Sequence, residues 1–373
     1  MNSLILNKLS LINYKNIDSK TFVFDEKINC LVGDNGIGKT NVLDSIYHLA
    51  MTKSYFNSIS SQSINHKAEF MVIEGNFNKG DKSEKIISSL KKGQRKTFKR
   101  NGKIYKKFSD HIGLIPVVMI SPYDRDLIQE GSSNRRKFID NVISQNNKTY
   151  LSNIINYQKI LFQRNALLKY FKKNNNFDLN ILKVYDDQLS ELSLPIYKTR
   201  IDFFKNFVPV FIKRYNSISK NKEKVNISYD SQLNYESLDY LLKNSIEKDR
   251  IVQYTSCGIH KDDLIFEIDN YPIKKYGSQG QQKSFLIALK LAQFDYLKTE
   301  SNSSPILLLD DIFDKLDNKR VKELIKLVND DEFGQLFISD TDYNRTENII
   351  KEINSSYKMI QLWKETLIQK ASN

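Results

Sequence analysis

The segment GDNGIGKT at residues 33–40 constrains the fold of this chain more than any other stretch. It matches the phosphate-binding P-loop pattern G-x-x-x-x-G-K-[S/T]. The apolar run Ile28–Val32 before it predicts a buried strand. Apolar residues then recur at helical spacing, at Val42, Leu43, Ile46, Leu49 and Ala50. Because strand, glycine-rich loop and helix form the arrangement that phosphate binding needs, a nucleotide site is favoured over a plain glycine-rich turn.

Each residue type in this segment has a chemical role. Glycines permit backbone conformations and close approaches that a Cβ would block, and the loop amides and helix N-terminus face the phosphates. Lys39 supplies a cation for the terminal phosphates, and Thr40 supplies a hydroxyl for Mg²⁺. The predicted nucleotide-binding residues are Gly33, Asp34, Asn35, Gly36, Ile37, Gly38, Lys39, Thr40 and Asn41.

Composition limits the class of protein. The 373 residues leave room for a core domain and a second lobe. The formal charge of +13 predicts a polyanionic partner, nucleic acid first, although a lysine- and asparagine-rich composition bias is the alternative. No apolar run approaches the roughly 18 residues of a membrane span, and no signal-peptide pattern follows Met1. Cys30 and Cys257 have no metal-ligand spacing, so we expect a cytoplasmic protein.

The hydrophobic periodicity predicts an α/β fold in three segments. Residues 1–123 read as β-rich around the P-loop helix, with a hairpin signal at Asn101-Gly102. Residues 124–250 read as an inserted lobe that is helical to about residue 218 and has no sustained heptad. Residues 251–373 return to α/β, so the two end segments must meet in one sheet.

A second apolar strand, Pro305–Leu309, ends in Asp310 and Asp311. Such a Walker B strand would deliver its carboxylates beside the P-loop. We predict that Asp310 orients the Mg²⁺ shell and that Asp311 positions or deprotonates the attacking water. A buried strand that merely ends in acids is the alternative, and the upstream P-loop makes it the weaker one.

A glycine-containing segment, GSQGQQ at residues 277–282, precedes a long predicted helix. Small residues allow backbone to approach an anion at a helix N-terminus. Alone, the segment would be a glycine-rich helix start. Beside the other motifs it resembles the LSGGQ-type signature of ABC ATPases, which Ser278, Gly280 and Gln281 match, and Asp314–Asp317 resembles a D-loop.

The order of these motifs around a compact helical insert resembles the ABC-type ATPase head. Further segments narrow the resemblance to the RecF family, from about residue 4 to residue 345. These segments are NRRKFID at 134–140, QRNALL at 163–168, GIHKDDL at 258–264 and SQGQQK at 278–283. Their combination is much more specific than any single motif.

The RecF resemblance implies a weak, DNA-dependent ATPase of recombinational repair that uses ATP and Mg²⁺. It implies an ATP-dependent homodimer in which the signature of one subunit completes the P-loop site of the other. DNA would bind across the dimer at single-strand gaps, with RecR-type and RecO-type mediator proteins as partners in recombinase loading. ATP hydrolysis would open the dimer and release DNA. We expect this hydrolysis to be slow, since Asp311 is shorter than the Glu of transporter-type heads.

The chain departs from the family pattern at several positions. Lys15, Ile259 and Lys261 stand where Arg, Pro and Arg are usual. The ABC switch His is missing from the segment SDTD at 339–342, and Ser121 lies near where a Q-loop Gln is expected. Sensing of the γ-phosphate at 339–342 is therefore in question.

Basic residues provide candidate DNA contacts. A cluster at Lys91–Lys107 falls on the predicted hairpin, where it would contact DNA phosphates or simply be solvated. Arg135 and Arg136, in the segment NRRKFID, would contact DNA or form salt bridges on a helix face. The predicted DNA contacts are Lys99, Arg100, Lys103, Arg135 and Arg136.

Two other functions compete with the repair hypothesis. A transporter-type nucleotide-binding subunit would need a membrane partner, and it usually carries the absent switch His. An ATP-independent DNA-binding scaffold would have a vestigial site, which the complete P-loop lysine chemistry disfavours.

Overall fold

The computed structural model describes residues 4–57, 59–80, 82–301, 303–311, 334–352 and 355–363. Its strands are β1 Leu4–Tyr14, β2 Ile17–Val23, β3 Ile28–Val32, β4 Phe70–Lys79, β5 Lys82–Lys91, β6 Thr97–Arg100, β7 Lys103–Ile104, β8 Val117–Ile120, β9 Val225–Asp230, β10 Asp263–Ile268, β11 Tyr271–Pro272, β12 Ile306–Leu309, β13 Leu336–Asp340 and β14 Tyr357–Gln361. Its α-helices are α1 Lys39–Met51, α2 Asp126–Gln129, α3 Ser132–Asn146, α4 Lys148–Asn174, α5 Leu179–Ser219, α6 Leu238–Val252, α7 Ile273–Tyr276, α8 Gln279–Ser301 and α9 Tyr343–Lys351.

The chain divides into two compact units. The first contains residues 1–123 and 297–373, and the second contains Asp124–Tyr296. The second unit therefore starts where the inserted lobe is predicted to start and continues past residue 250. It continues because β9 and β10 pair with each other in this unit, and their inward side chains join the same core as the helices.

A parallel sheet in the first unit has the strand order β14-β3-β13-β12-β8. Strands β3, β8, β12 and β13 are buried at every position, which explains why they read as continuous apolar runs. Since β13 is the only strand between β3 and β12 in this order, the P-loop and the acids that follow β12 end at the same sheet edge. The two end segments of the chain thus share one sheet.

An antiparallel sheet in the same unit has the order β2-β1-β4-β5-β6-β7. The Asn101-Gly102 turn joins β6 to β7, with Arg100 opposite Lys103 and positive φ at both turn residues. This is the geometry that the Asn-Gly signal favours.

Helices α3 to α6 and α8 and the strands β9 and β10 contribute to the core of the second unit. Helix α5 contains Pro195 and Pro209 in its interior and runs for 41 residues. Strand β9 and most of helix α6 lie in residues 219–250, where the polar sequence has only modest patterning. The predicted D-loop Asp314–Asp317 and the helix predicted around residues 321–328 lie outside the described residues.

Candidate nucleotide-binding site

The P-loop connects the end of β3 to the start of α1. The Lys39 side chain is buried, and its ammonium donates to the backbone oxygens of Gly33 at 2.7 Å and Asp34 at 3.0 Å. The cation is therefore held against the loop that would enclose the phosphates. The first-turn N–H groups of α1 have no acceptor within the helix, as at any helix start, and can serve a bound anion.

Two glycines of the loop are needed for space as well as for backbone conformation. Gly33 has φ +154°, and a Cβ there would lie 2.6 Å from the backbone oxygen of Leu362. Gly38 has φ +113°, and a Cβ there would lie 3.0 Å from Asn16 Oδ1. Side chains at these positions would force the loop out of its present shape.

The acids after β12 lie beside this loop. Asp310 Oδ1 accepts from the Thr40 hydroxyl at 2.8 Å and from the Ser339 hydroxyl at 2.8 Å. Burial, with a smaller contribution from the neighbouring Asp311, raises the pKa of the Asp310 carboxyl to about 6. The backbone N–H of Asp311 donates to Ser339 Oγ at 2.9 Å, and Asp311 has φ +46°. Ser339 thus ties both acids to β13.

Thr40 and Asp310 fit a Mg²⁺ site of the nucleotide-dependent kind. Mg²⁺ keeps several waters and takes one or two protein oxygens together with substrate phosphates. A bound cation would favour the ionised form of Asp310. Among the residues that the structure describes, no group of three His, Cys, Asp or Glu side chains is placed to hold a metal. The donor set therefore suits Mg²⁺ that arrives with a triphosphate.

The segment 339–342, where ABC ATPases carry the switch His, forms hydrogen bonds within the first unit. The Asp340 carboxylate accepts from Arg345 at 2.5 Å and from the Thr346 hydroxyl at 2.5 Å. Its backbone oxygen accepts from the Gly33 N–H at 3.3 Å. Asp340 therefore braces the start of the P-loop, while Ser339 holds the acids.

The signature segment forms the start of α8. The Gln281 side chain accepts from the Ser278 N–H at 2.7 Å, and Ser278 Oγ accepts from the Gln281 N–H at 3.2 Å. This is a capping box, which defines the N-terminus of α8 and fixes the conformation of the segment. Ser278 is exposed and Gly280 is half-buried. In this cap the Ser278 hydroxyl acts as an acceptor.

A buried network centred on Arg200 explains part of the family pattern. Its guanidinium donates to Asp140 at 2.9 Å, to Asp262 at 2.7 Å and to the Tyr150 hydroxyl at 3.0 Å. Tyr229 donates a short hydrogen bond to Asp262 as well. Arg200 has 1% exposure, so its charge is balanced entirely within the unit. No local pattern in the sequence marks Arg200, because its partners lie far away along the chain.

A second network holds the QRN segment. Arg164 is fully buried and donates to Asp186 at 2.5 Å, to Asp249 at 2.7 Å and to Thr255 at 2.9 Å. The neighbouring Asn165 side chain accepts from the Thr255 N–H at 2.7 Å. This segment therefore joins three helices and a loop of the second unit.

His260 also has a structural environment. Its Nδ1 lies 3.0 Å from the Tyr157 hydroxyl, and its Nε2 lies 3.1 Å from the backbone oxygen of Thr255. Burial lowers the pKa of His260 to about 4, so the ring is neutral near pH 7. Gly258 has φ +114°, and a Cβ there would lie 2.7 Å from the Tyr157 oxygen. Ile259, Asp262 and Leu264 of the GIHKDDL segment are buried in the second unit, whereas Lys261 is exposed.

The Arg200 network gives a stability prediction. We expect Arg200→Met to destabilise the second unit by about 3–5 kcal/mol, because it leaves the buried Asp262 and the half-buried Asp140 without their cation. Urea unfolding followed by circular dichroism measures the loss. Lys243→Met is the matched control, since Lys243 pairs with Asp239 at the exposed surface and its replacement should leave the midpoint unchanged. Equal midpoints for Arg200→Met and wild type would contradict this interpretation.

The predicted DNA contacts differ in their surroundings. Arg135 donates to both carboxylate oxygens of Asp263, at 2.6 and 2.9 Å, and Arg136 donates to the Asp262 backbone oxygen at 2.6 Å. Arg100 donates to both carboxylate oxygens of Glu84, at 2.8 and 2.5 Å. Of the two interpretations of Arg135, the structure shows the ion pair, and contact of these three arginines with DNA stays a prediction.

The lysines of the β5–β7 region differ in accessibility. Lys103 is exposed beside the hairpin turn, and Lys99 is half-buried on the opposite side of β6 from the core residue Phe98. Lys96, in contrast, turns inward, where it donates to the Thr52 backbone oxygen. Burial lowers the pKa of Lys96 to about 8. Lys99 and Lys103 thus remain the better-placed candidates for phosphate contact.

Comparison with known proteins identifies the family. The RecF/RecN/SMC N-terminal domain model matches residues 5–362. The DNA replication and repair protein RecF of Flavobacterium johnsoniae is 58% identical over 357 residues, which cover 96% of this chain and 99% of the relative. This chain belongs to the RecF family. The RecF protein of Phocaeicola vulgatus is 48% identical over 359 residues, covering 95% of this chain and 96% of the relative. The predicted RecF resemblance is confirmed.

Solved structures support the same assignment. One described as the recombination mediator protein RecF-ATP in the RecFOR pathway has a TM-score of 0.85 and 30% identity, covering 91% of this chain and 93% of that chain. An SMC head domain from Pyrococcus furiosus has a TM-score of 0.56 and 15% identity, covering 96% and 94%, and shows the fold alone. The predicted α/β ABC-type head is therefore confirmed. No helix in the described ranges is long and apolar enough to span a membrane.

Proposed function

We propose that this protein is an ATP-dependent DNA-binding protein of recombinational repair and replication. Two copies close around ATP, the closed pair binds DNA at single-strand gaps, and slow hydrolysis reopens it. RecR-type and RecO-type proteins are the proposed partners in recombinase loading, and the cytoplasm is the proposed location. The juxtaposition of Lys39, Thr40 and Asp310 at one sheet edge is the observation that carries this proposal.

The P-loop and the acidic strand divide the chemistry between them. Lys39 neutralises the terminal phosphates, and the first turn of α1 donates backbone N–H groups to them. Mg²⁺, held through Thr40 and Asp310, would neutralise charge on the phosphate oxygens when bound. Asp311 orients the attacking water, and its short side chain is consistent with the slow hydrolysis of a timer.

Dimerisation is supported by the exposure of the signature. Ser278 lies outside the core at a helix N-terminus, where an anion is stabilised. Its hydroxyl proton and the first N–H groups of α8 are the donors that a γ-phosphate on a second subunit would accept. Gln281 shapes this surface through the capping box. Ser278, Gly280 and Gln281 therefore complete the ATP site in trans in this proposal.

DNA binding is supported by charge. The formal charge of +13 provides a general attraction for a polyanion, and Lys99 and Lys103 are candidate phosphate contacts. We expect Lys99→Gln together with Lys103→Gln to weaken binding to all DNA sequences and to lower the salt slope by about one per lost contact. Fluorescence anisotropy with gapped DNA, ATP and Mg²⁺ over a range of salt concentrations measures both.

Lys243→Gln is the control for this experiment, because it removes an exposed charge from the helical unit. An unchanged salt slope in the double variant would place the DNA surface elsewhere. A parallel titration on single-stranded, duplex and gapped DNA tests the proposed gap preference, and equal affinities would remove it.

A further inference from the structure

The turn between β1 and β2 contacts the P-loop through one side chain. Asn16 Nδ2 donates to the backbone oxygen of Gly36 at 2.9 Å, in the middle of the loop. Its Oδ1 accepts from the Asn41 side chain at 2.7 Å, in the first turn of α1. A single carboxamide therefore connects the P-loop to the first turn of α1, and phosphate binding requires a fixed spacing between these two segments.

This turn is itself anchored to the P-loop helix. Asp44 of α1 is fully buried and accepts from the Tyr14 hydroxyl at 2.6 Å, from the Lys15 ammonium at 2.7 Å and from the Ser54 hydroxyl at 2.7 Å. Lys15 has φ +53°, so the backbone turns sharply just before Asn16. The Lys15 cation is thus used to fix the turn.

The surroundings of Gly38 support the same role. A Cβ on Gly38 would lie 3.0 Å from Asn16 Oδ1 and 3.4 Å from its Nδ2, so the carboxamide fills the space that this glycine leaves open. Asn16 is nevertheless solvent-exposed, so packing in the core does not explain its two side-chain hydrogen bonds. Both bonds are made to the loop or the helix of the nucleotide site.

We propose that Asn16 is a positioning residue for the P-loop. It holds the Gly36 peptide and the first turn of α1 in the shape that receives a polyphosphate, before the nucleotide binds. Asn16 affects nucleotide affinity through the backbone N–H groups of the loop that it positions. It therefore affects the binding of the phosphates rather than that of the base or ribose. This inference rests on the proposed ATP site.

The test compares wild type, Asn16→Ala and Asn41→Ala. We expect Asn16→Ala to weaken ATP binding by about tenfold, as the loss of one or two hydrogen bonds implies, and to weaken competing inorganic pyrophosphate by the same factor. Asn41→Ala removes one of the two bonds and should have a smaller effect. A fluorescent ATP analogue measures affinity by displacement, and thermal unfolding without nucleotide measures stability.

Ser19→Ala is the matched control, because Ser19 is an exposed residue of strand β2, which follows the turn. Unchanged ATP affinity in Asn16→Ala would overturn the inference, and so would a loss confined to ATP with pyrophosphate unaffected. A loss of affinity that only parallels a lower melting temperature would also overturn it, because that result indicates general destabilisation. If wild type itself fails to bind ATP, the proposed function fails, whatever the variant does.

Discussion

Lys39→Ala is expected to abolish ATP-dependent dimerisation and hydrolysis. The Lys39 ammonium lies in the P-loop beside Gly33 and Asp34, where it would meet the terminal phosphates. Hydrogen bonds to charged groups contribute about 1.5–3 kcal/mol each, so ATP affinity should fall by about ten- to a hundredfold. Isothermal titration calorimetry with ATP and Mg²⁺ measures the affinity, and light scattering measures the mass.

Lys8→Ala is the control for this change, because Lys8 is an exposed residue on β1. Its ATP affinity should equal that of wild type. DNA binding that survives Lys39→Ala, with or without ATP, would support the ATP-independent scaffold. ATP affinity equal to that of wild type would place the nucleotide site elsewhere.

Ser278→Arg is expected to prevent dimerisation while leaving ATP binding by the monomer intact. The arginine would place a large cation where a second subunit has to approach, and it would remove the hydroxyl donor. Ser237→Arg is a matched control, since Ser237 also caps a helix of the second unit by accepting from a backbone N–H, at 3.3 Å from Tyr240. Both variants lose a cap, which costs about 1 kcal/mol. Only Ser278→Arg should stay monomeric with a non-hydrolysable ATP analogue, and a dimer would contradict the trans arrangement.

The sequence predicts the nucleotide site well because its signals are local. Strands β3 and β12 are short runs buried on both faces, and each ends in the residues that act chemically. The parallel sheet then brings Thr40 to within 2.8 Å of Asp310, across 270 positions of sequence. No spacing rule gives that distance, but the two motifs are chemically useful only together.

Side chains paired over long distances could not be predicted in the same way. Arg135 reads equally as a DNA contact or a salt bridge, because its partner Asp263 lies 128 positions away. Arg200 was missed for the same reason, since Asp262 is 62 positions away. Asn16 gives no signal in the sequence, because its role depends on the backbone of Gly36. The polar stretch that contains β9 and α6 has weak periodicity, and its structure depends on packing against the helices of the second unit.

Mixing the two inactive variants tests the shared site most directly. A pair of one Lys39→Ala subunit and one Ser278→Arg subunit contains a single intact P-loop that faces a single intact signature. We predict that neither variant alone hydrolyses ATP, and that the mixture regains both dimer mass and hydrolysis at one site per pair. A mixture as inactive as its components, or full hydrolysis by Ser278→Arg alone, would contradict assembly of the ATP site from two copies.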